Sequence, residues 1–362
     1  TARTSHTRRP PNRGVEEWQL TPRPEFGREQ NVTMKNLGRE PIFSVFQIAN
    51  PKSGGSYRVA IRGAHPGDSY CSCPDFAVNT LGTCKHIEFT LAKLEAKRGG
   101  KAALASGFHP PYSEVYLRYG AMRQVAFRPG TECPPELLRA AKRYFDEAGI
   151  LQPAAFATVD TFLRKVREGI HECRCYPDAL QFIAQVRDAE SRCERILEHF
   201  PKGALSPAFN KLLNPRLYPY QRQGALFAAR AGRCILADDM GLGKTIQAIA
   251  AVEILARTAG VTRAPIVCPT SLKHQWRQEI ERFTGRSAEV VEGLFPERKR
   301  RYATDTLFKV INYDVVHQDA DMIDAWNPDI IVLDEAQRIK NWKTRRASAV
   351  KHLRSEHAIV IT

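Results

Sequence analysis

Cys234-Ile235-Leu236-Ala237-Asp238-Asp239-Met240-Gly241-Leu242-Gly243-Lys244-Thr245 is the stretch whose reading decides the fold. Four strand-type residues run into a loop carrying two glycines, and Ile246 to Ala256 continues with helical apolar spacing. Glycines let a backbone wrap closely around an anion, and the first N–H groups of the following helix point at it. This is phosphate-binding chemistry, with Lys244 placed to reach the β/γ-phosphates and the Thr245 hydroxyl placed to ligate Mg²⁺. Asp239, Met240, Gly241, Leu242, Gly243 and Ile246 complete the expected nucleotide contacts. The general motif has Gly six residues before its Lys; here that position is Asp238.

Outward from this loop, CILA, IVCP, FKVIN, DIIVLDE and AIVIT are short apolar runs separated by helical patterns. Such alternation predicts a parallel sheet covered on both faces. The run Asp329 to Leu333 ends in Asp334-Glu335. An Asp at the carboxyl end of a buried strand is where Mg²⁺ would sit, and Glu335 is then the residue to orient or deprotonate water. The plainer alternative is a pair of solvated acids at a strand end.

Taken in order, DDMGLGKT, IVCPTSLKHQWRQEI, VINYD and DEAQRIKN resemble motifs I, Ia, Ib and II of the Swi/Snf-type ATPases, helicase-like double-stranded DNA translocases of superfamily two. In that family Asp occupies the first loop position, which accounts for Asp238. The resemblance covers about residues 212 to 362 and implies a RecA-like ATP-binding lobe, with Lys244, Asp334 and Glu335 catalytic. Leu217 to Gly224 resembles the family's adenine-reading segment, which implies that Gln221 hydrogen-bonds the base. By the same carry-over Thr270, Ser271 and Lys273, together with Lys340 and Asn341, would lie along a DNA backbone. From Arg338 to Arg354 the chain has seven Lys/Arg and no acid, which suits phosphate contact or, equally, a solvated helix face. The family's second lobe would close over the nucleotide and supply arginines. The run ending at Thr362 reads as a strand where the family's motif III would continue, so the chain is expected to be part of a longer enzyme and weakly active by itself.

Composition agrees. In 362 residues, 54 Lys+Arg against 39 Asp+Glu leave +15, which favours a polyanionic partner. A hydrophobic fraction of 43% excludes global disorder, and the length implies a multidomain chain. No run approaches the ~18–20 apolar residues of a membrane span. No apolar signal core follows the early arginines, so an intracellular location is expected: nucleoid-associated cytoplasm in a prokaryote, the nucleus in a eukaryote. Residues 1–40 read as a flexible basic lead-in, 41–98 as a small ββα module, 99–205 as a helical connecting region and 206–362 as the sheet lobe.

The ββα module carries Cys71-Ser72-Cys73 and Cys84-Lys85-His86. Three thiolates and an imidazole suit tetrahedral Zn²⁺, although C-x-C is not the commonest zinc spacing. CSCPDF…GTCKHI, between a hairpin and a helix, resembles the SWIM zinc finger. That resemblance implies zinc held by Cys71, Cys73, Cys84 and His86, and a nucleic-acid or protein partner. His171, Cys173 and Cys175 lack an obvious fourth ligand, and the two cysteines read more simply as packing residues. A chain of another kind stays open, a non-catalytic zinc-dependent binding protein whose lobe only senses ATP.

Overall fold

A computed structural model describes residues 14–51, 54–63, 67–239, 241–341 and 344–362. Two compact units divide at Arg187/Asp188, inside the 23-residue helix Pro177–His199, and not at the change of sequence rhythm near Ser206.

The first unit holds two sheets. Strands β1 (Thr33–Asn36), β2 (Val45–Ala49), β3 (Ser56–Ala60) and β4 (Tyr70–Cys71) form an antiparallel sheet in chain order, with the helix Lys85–Glu95 packed on it. The hairpin and helix read from the sequence are both present. The lead-in, in contrast, is structured from residue 14. Short helices Val15–Leu20 and Arg23–Arg28 precede β1, which pairs with β2 as the sheet's edge. Gly27 makes this possible, because a Cβ there would lie 2.7 Å from Glu88 Cβ on the neighbouring helix.

The connecting region also contains more than helices. Strands β5 (Ser113–Arg118), β6 (Gln124–Arg128) and β7 (Cys173–Cys175) form a three-stranded sheet in the order β6-β5-β7. Charged residues interrupt the apolar rhythm of β5, yet Glu114 is fully buried, accepting from Tyr176 Oη at 2.5 Å and from Arg128. Buried charges persist when paired in this way.

The second unit is the expected α/β lobe. Strands β8 (Arg233–Leu236), β9 (Ala264–Cys268), β10 (Ala288–Val290), β11 (Phe308–Asn312), β12 (Ile330–Leu333) and β13 (His357–Ile361) form one parallel sheet in the order β10-β11-β9-β12-β13-β8. Alternation along the strands feeds two cores. Ile266, Val310, Val332 and Ile359 meet the helix Lys244–Thr258 on one face. Val267, Ile311 and Ile331 meet Tyr313, Ile339 and Val350 on the other. Among the described residues no helix is long and apolar enough to cross a membrane.

Lys309 on β11 is completely buried. Its ammonium donates to Thr304 O at 2.6 Å, Thr304 Oγ1 at 2.9 Å and Thr306 Oγ1 at 3.2 Å, and lies 4.7 Å from the Trp326 ring centre. Burial lowers its pKa to about 8. The unfolded chain holds this proton more tightly, so the penalty is fully present below pH 8 and disappears above the ordinary lysine value near 10.4. Urea unfolding of the wild type and Lys309→Met is the check. Between pH 7 and 9.5 the wild type should gain on the order of 2 kcal/mol relative to the variant.

Candidate active site and metal centre

The glycine loop leaves β8 at the carboxyl edge of the sheet and enters the helix Lys244–Thr258. Gly241 and Gly243 adopt φ of +87° and +71°, the left-handed region that favours glycine. No side chain caps this helix, so its leading N–H groups are available to an anion. Lys244 Nζ donates to Asp238 O at 2.6 Å and Asp239 O at 3.2 Å, folded back on the loop's own carbonyls. Asp238, the departure from the general motif, accepts from Gln247 Nε2 at 3.0 Å and so ties the loop's entrance to the helix. Nothing in the sequence had singled out Gln247. Met240 lies outside the described residues.

Gln221 is buried beside the loop. Its Oε1 accepts from Tyr218 N at 3.0 Å, and its Nε2 donates to Leu242 O at 3.4 Å. The amide expected to face a base therefore also fastens a helix start to the loop.

Asp334 follows β12, where its N–H donates to Val267 O at 2.8 Å. Its carboxylate accepts from Trp276 Nε1 at 2.8 Å, and its carbonyl from Tyr313 Oη at 2.7 Å. Burial pushes the Asp334 carboxyl above the usual range, and the indole N–H opposes the shift. Glu335 takes φ of +52°, unusual for a non-glycine residue, and its carboxylate accepts from Gln337 Nε2. One cavity of about 440 Å³ is lined by Gly241, Gly243, Lys244, Thr245, Asp334 and Glu335, with Trp276 in its wall. The loop and the acidic pair, 90 residues apart in sequence between Lys244 and Asp334, thus open onto one space. Trp276 stood inside the quoted Ia-like stretch, but its bond to Asp334 was not legible there.

The expected DNA-facing residues separate into two groups. Thr270 and Ser271 are exposed on the turn after β9, and Thr270 Oγ1 accepts from Asn312 Nδ2 at 2.9 Å. Lys340 and Asn341 are exposed after the turn Ala336–Ile339. Lys273 corrects the expectation: it is 7% exposed, and its ammonium is paired with Glu292 at 2.8 Å. Its helix turns it inward, so it is not a free cation for a phosphate. In the basic run, Arg346 is paired with Asp314, which also accepts from Thr270 Oγ1 at 3.4 Å.

In the first unit Cys71, Cys73, Cys84 and His86 are all buried, with one ligand atom from each within 4.8 Å of the others. Cys71 Sγ lies 3.8 Å from His86 Nδ1. Thiolates about 2.3 Å from a tetrahedral zinc stand roughly 3.8 Å apart, so this donor set fits such an ion. Cys73 starts the helix Pro74–Val78 and Cys84 starts Lys85–Glu95, which brings the two pairs together from separate helix starts. Cys173 and Cys175 lie on β7, half-buried against a core that also holds Cys133. No second metal-competent group of three or more His, Cys, Asp or Glu occurs among the described residues.

A parallel sheet thus carries a glycine loop and an acidic pair that open on one cavity, the layout of an α/β unit built around a loop-and-carboxylate site. A model of the SNF2-related domain matches residues 131–362, more than half of the chain, and the chain belongs to that family. It is 34% identical over 202 residues to the TATA-binding protein-associated factor mot1 of Aspergillus fumigatus, covering 50% of this chain and 10% of that protein. With the DNA repair and recombination protein RAD54B of Gallus gallus it shares 31% identity over 45% of this chain and 20% of the relative. The chain thus spans a fifth or less of the length of these relatives. Among solved structures, the Sulfolobus solfataricus SWI2/SNF2 ATPase core in complex with double-stranded DNA aligns at 31% identity, covering 42% of this chain and 32% of that one, with a TM-score of 0.39.

A Cβ at Gly243 would meet Gln221 Nε2 at 2.7 Å, besides forcing a side chain into the left-handed region. Gly243→Ala should therefore lower the stability of the lobe by about 1–2 kcal/mol, read as a shift in its urea midpoint.

Proposed function

We propose that the second unit is the ATP-binding lobe of a DNA-dependent ATPase that translocates along double-stranded DNA. The observation that carries this reading is the single cavity shared by the glycine loop and the Asp334–Glu335 pair. The loop residues Asp239 to Gly243 and the first helical turn, Lys244, Thr245 and Ile246, cradle the phosphates. Thr245 and Asp334 hold Mg²⁺, whose charge would neutralise the developing negative charge on the phosphates. Glu335 orients the attacking water, and the bonds from Trp276 and Tyr313 fix the strand end from which it projects. Gln221 serves the base side, with its contact to Leu242 coupling that end to the loop. Thr270, Ser271, Lys340 and Asn341 contact the phosphodiester backbone, which suits a motor that must grip DNA of any sequence. Lys273 is left out of that set because Glu292 neutralises it.

The cysteine-rich module we read as a SWIM-type zinc finger, with Cys71, Cys73, Cys84 and His86 as its ligands. A structural zinc in so small a unit supplies on the order of 10 kcal/mol of apparent folding free energy. Its partner is a nucleic acid or a protein.

Three measurements test these readings. Lys244→Ala should weaken binding of a fluorescent ATP analogue by about 1.5–3 kcal/mol, the usual worth of a hydrogen bond to a charged group, while Glu335→Gln binds normally. Equal affinities in all three proteins would remove the loop from the site. Metal analysis of the purified chain should give one zinc, which Cys84→Ser loses; retention of a full equivalent would move the site elsewhere. Phosphate release from ATP by the 362-residue chain should be slow and little stimulated by duplex DNA. Among the described residues Lys244 is the only Lys or Arg lining the cavity, and an arginine on the γ-phosphate is worth on the order of 10³–10⁵ in rate. Robust DNA-stimulated turnover by this chain would overturn that expectation. Absence of turnover in every longer version would favour the sensing-only alternative.

A further inference from the structure

Beside the zinc-competent cluster, and wholly within the first unit, lies a cavity of about 450 Å³. It draws on both sheets of that unit: Arg58 and Tyr70 come from the four-stranded sheet, Tyr119 follows β5, and Gln181 and Gln185 come from the helix Pro177–His199. The volume lies in the ~300–1,000 Å³ range of pockets that enclose a small planar ligand. None of the readings above assigns it a role.

Three features of the wall specify a chemistry. The first is aromatic. Tyr70 and Tyr119 are half-buried with ring centres 6.2 Å apart, and the buried Phe76 backs Tyr119 at 4.5 Å. The second is cationic. Arg58 and Arg123 line the cavity, and among the described residues no carboxylate is paired with either. The Arg123 guanidinium donates to Ala77 O at 2.6 Å and stands 5.7 Å from the Tyr119 ring centre. The third is amide chemistry. Gln181 and Gln185 are exposed one helical turn apart, and no hydrogen bond is made by either side chain among the described residues.

The wall is held by a buried network. Arg62, 4% exposed, is forked onto Asp178 at 2.9 Å through both terminal nitrogens and lies 3.9 Å from the Tyr176 ring centre. Tyr119 Oη donates to the same carboxylate at 2.9 Å, while Arg62 Nε is buried with no partner among the described residues. The internal charge of Arg62 is thus spent on Asp178, and the charge offered to a ligand is that of Arg58 and Arg123.

We propose that this cavity binds an unpaired nucleobase together with its backbone phosphate, so that the first unit is a single-strand nucleic-acid site. Aromatic faces stack on a base whatever its sequence, and unpaired guanidiniums take the phosphate. Amides carry both donor and acceptor, matching the edge of a base, whereas a phosphorylated peptide needs only the cations. A base stacked and paired inside a duplex cannot enter a concavity without being flipped out at the cost of unstacking, so the cavity favours an unpaired strand. This goes beyond the double-strand reading of the second unit and does not depend on it.

The test is fluorescence anisotropy of a labelled short oligothymidylate with the complete 362-residue chain. The wild type should bind. The double variant Arg58→Gln/Arg123→Gln should bind about tenfold more weakly. Gln181→Ala/Gln185→Ala should bind several-fold more weakly to the oligothymidylate but unchanged to an abasic strand of equal length. Both variants should retain zinc and bind the ATP analogue as the wild type does, which separates loss of this site from misfolding and from failure of the ATPase reading. The proposal is overturned if the wild type does not bind, if both variants bind like the wild type, if duplex DNA of the same length displaces the strand equally well, or if a phosphotyrosine peptide displaces it.

Discussion

A carboxylate that is almost wholly buried at the end of a parallel strand has to be held by donors, and Asp334 is held by the Trp276 indole. That hydrogen bond links the helix Lys273–Thr284 to the end of β12. The Tyr313 hydroxyl grips the same residue's carbonyl, and the Asp334 N–H is bound to β9. With three neighbours fixing one residue, the acidic end of the site has a defined place on the sheet. The parallel order β9-β12-β13-β8 sets how far the glycine loop stands from it.

The loop is organised on a different basis. Its shape comes from backbone conformations that only glycine adopts cheaply at Gly241 and Gly243, and its anchoring comes from two buried glutamines, Gln221 and Gln247. Gln221 reaches the loop from the helix that precedes β8, whereas Gln247 ties the following helix back onto the loop's entrance. Gly224 permits this closeness, because a Cβ there would fall on the Gln247 amide oxygen. A rigid acidic edge and an amide-pinned loop thus face each other across one cavity, with Lys244 between them resting on carbonyls that a phosphate can replace.

Legibility in the sequence followed the physics of each signal. The second unit was readable because fully buried parallel strands are short apolar runs, and because glycine, lysine and threonine in fixed spacing have few other uses. The acidic residues Asp334 and Glu335 stood out at the end of an apolar run, and in the cysteine-rich stretch Cys73 precedes a proline while Cys84 and His86 flank Lys85. What failed were features set by tertiary partners. Strand β5 was hidden because Glu114 interrupts its apolar pattern and is satisfied only by Arg128 and Tyr176. The strand at residues 33–36 has no apolar alternation and exists because β2 offers it an edge. Lys273 looked like a surface cation because its neutralising partner, Glu292, lies 19 residues away. The cavity of the first unit combines residues from 45 to 185, a span over which no local pattern operates.

Glu335 sits in a backbone conformation that an asparagine or glycine enters more easily, and a glutamate there gives up on the order of 1 kcal/mol of local stability. If the side chain had no task, drift would favour the more comfortable residues. A library selected only for thermal resistance should therefore discard glutamate at this position, while one selected for work should keep it if Glu335 has the water-orienting role proposed above. The same few atoms would then record, in opposite directions, what the lobe needs to persist and what it needs to act.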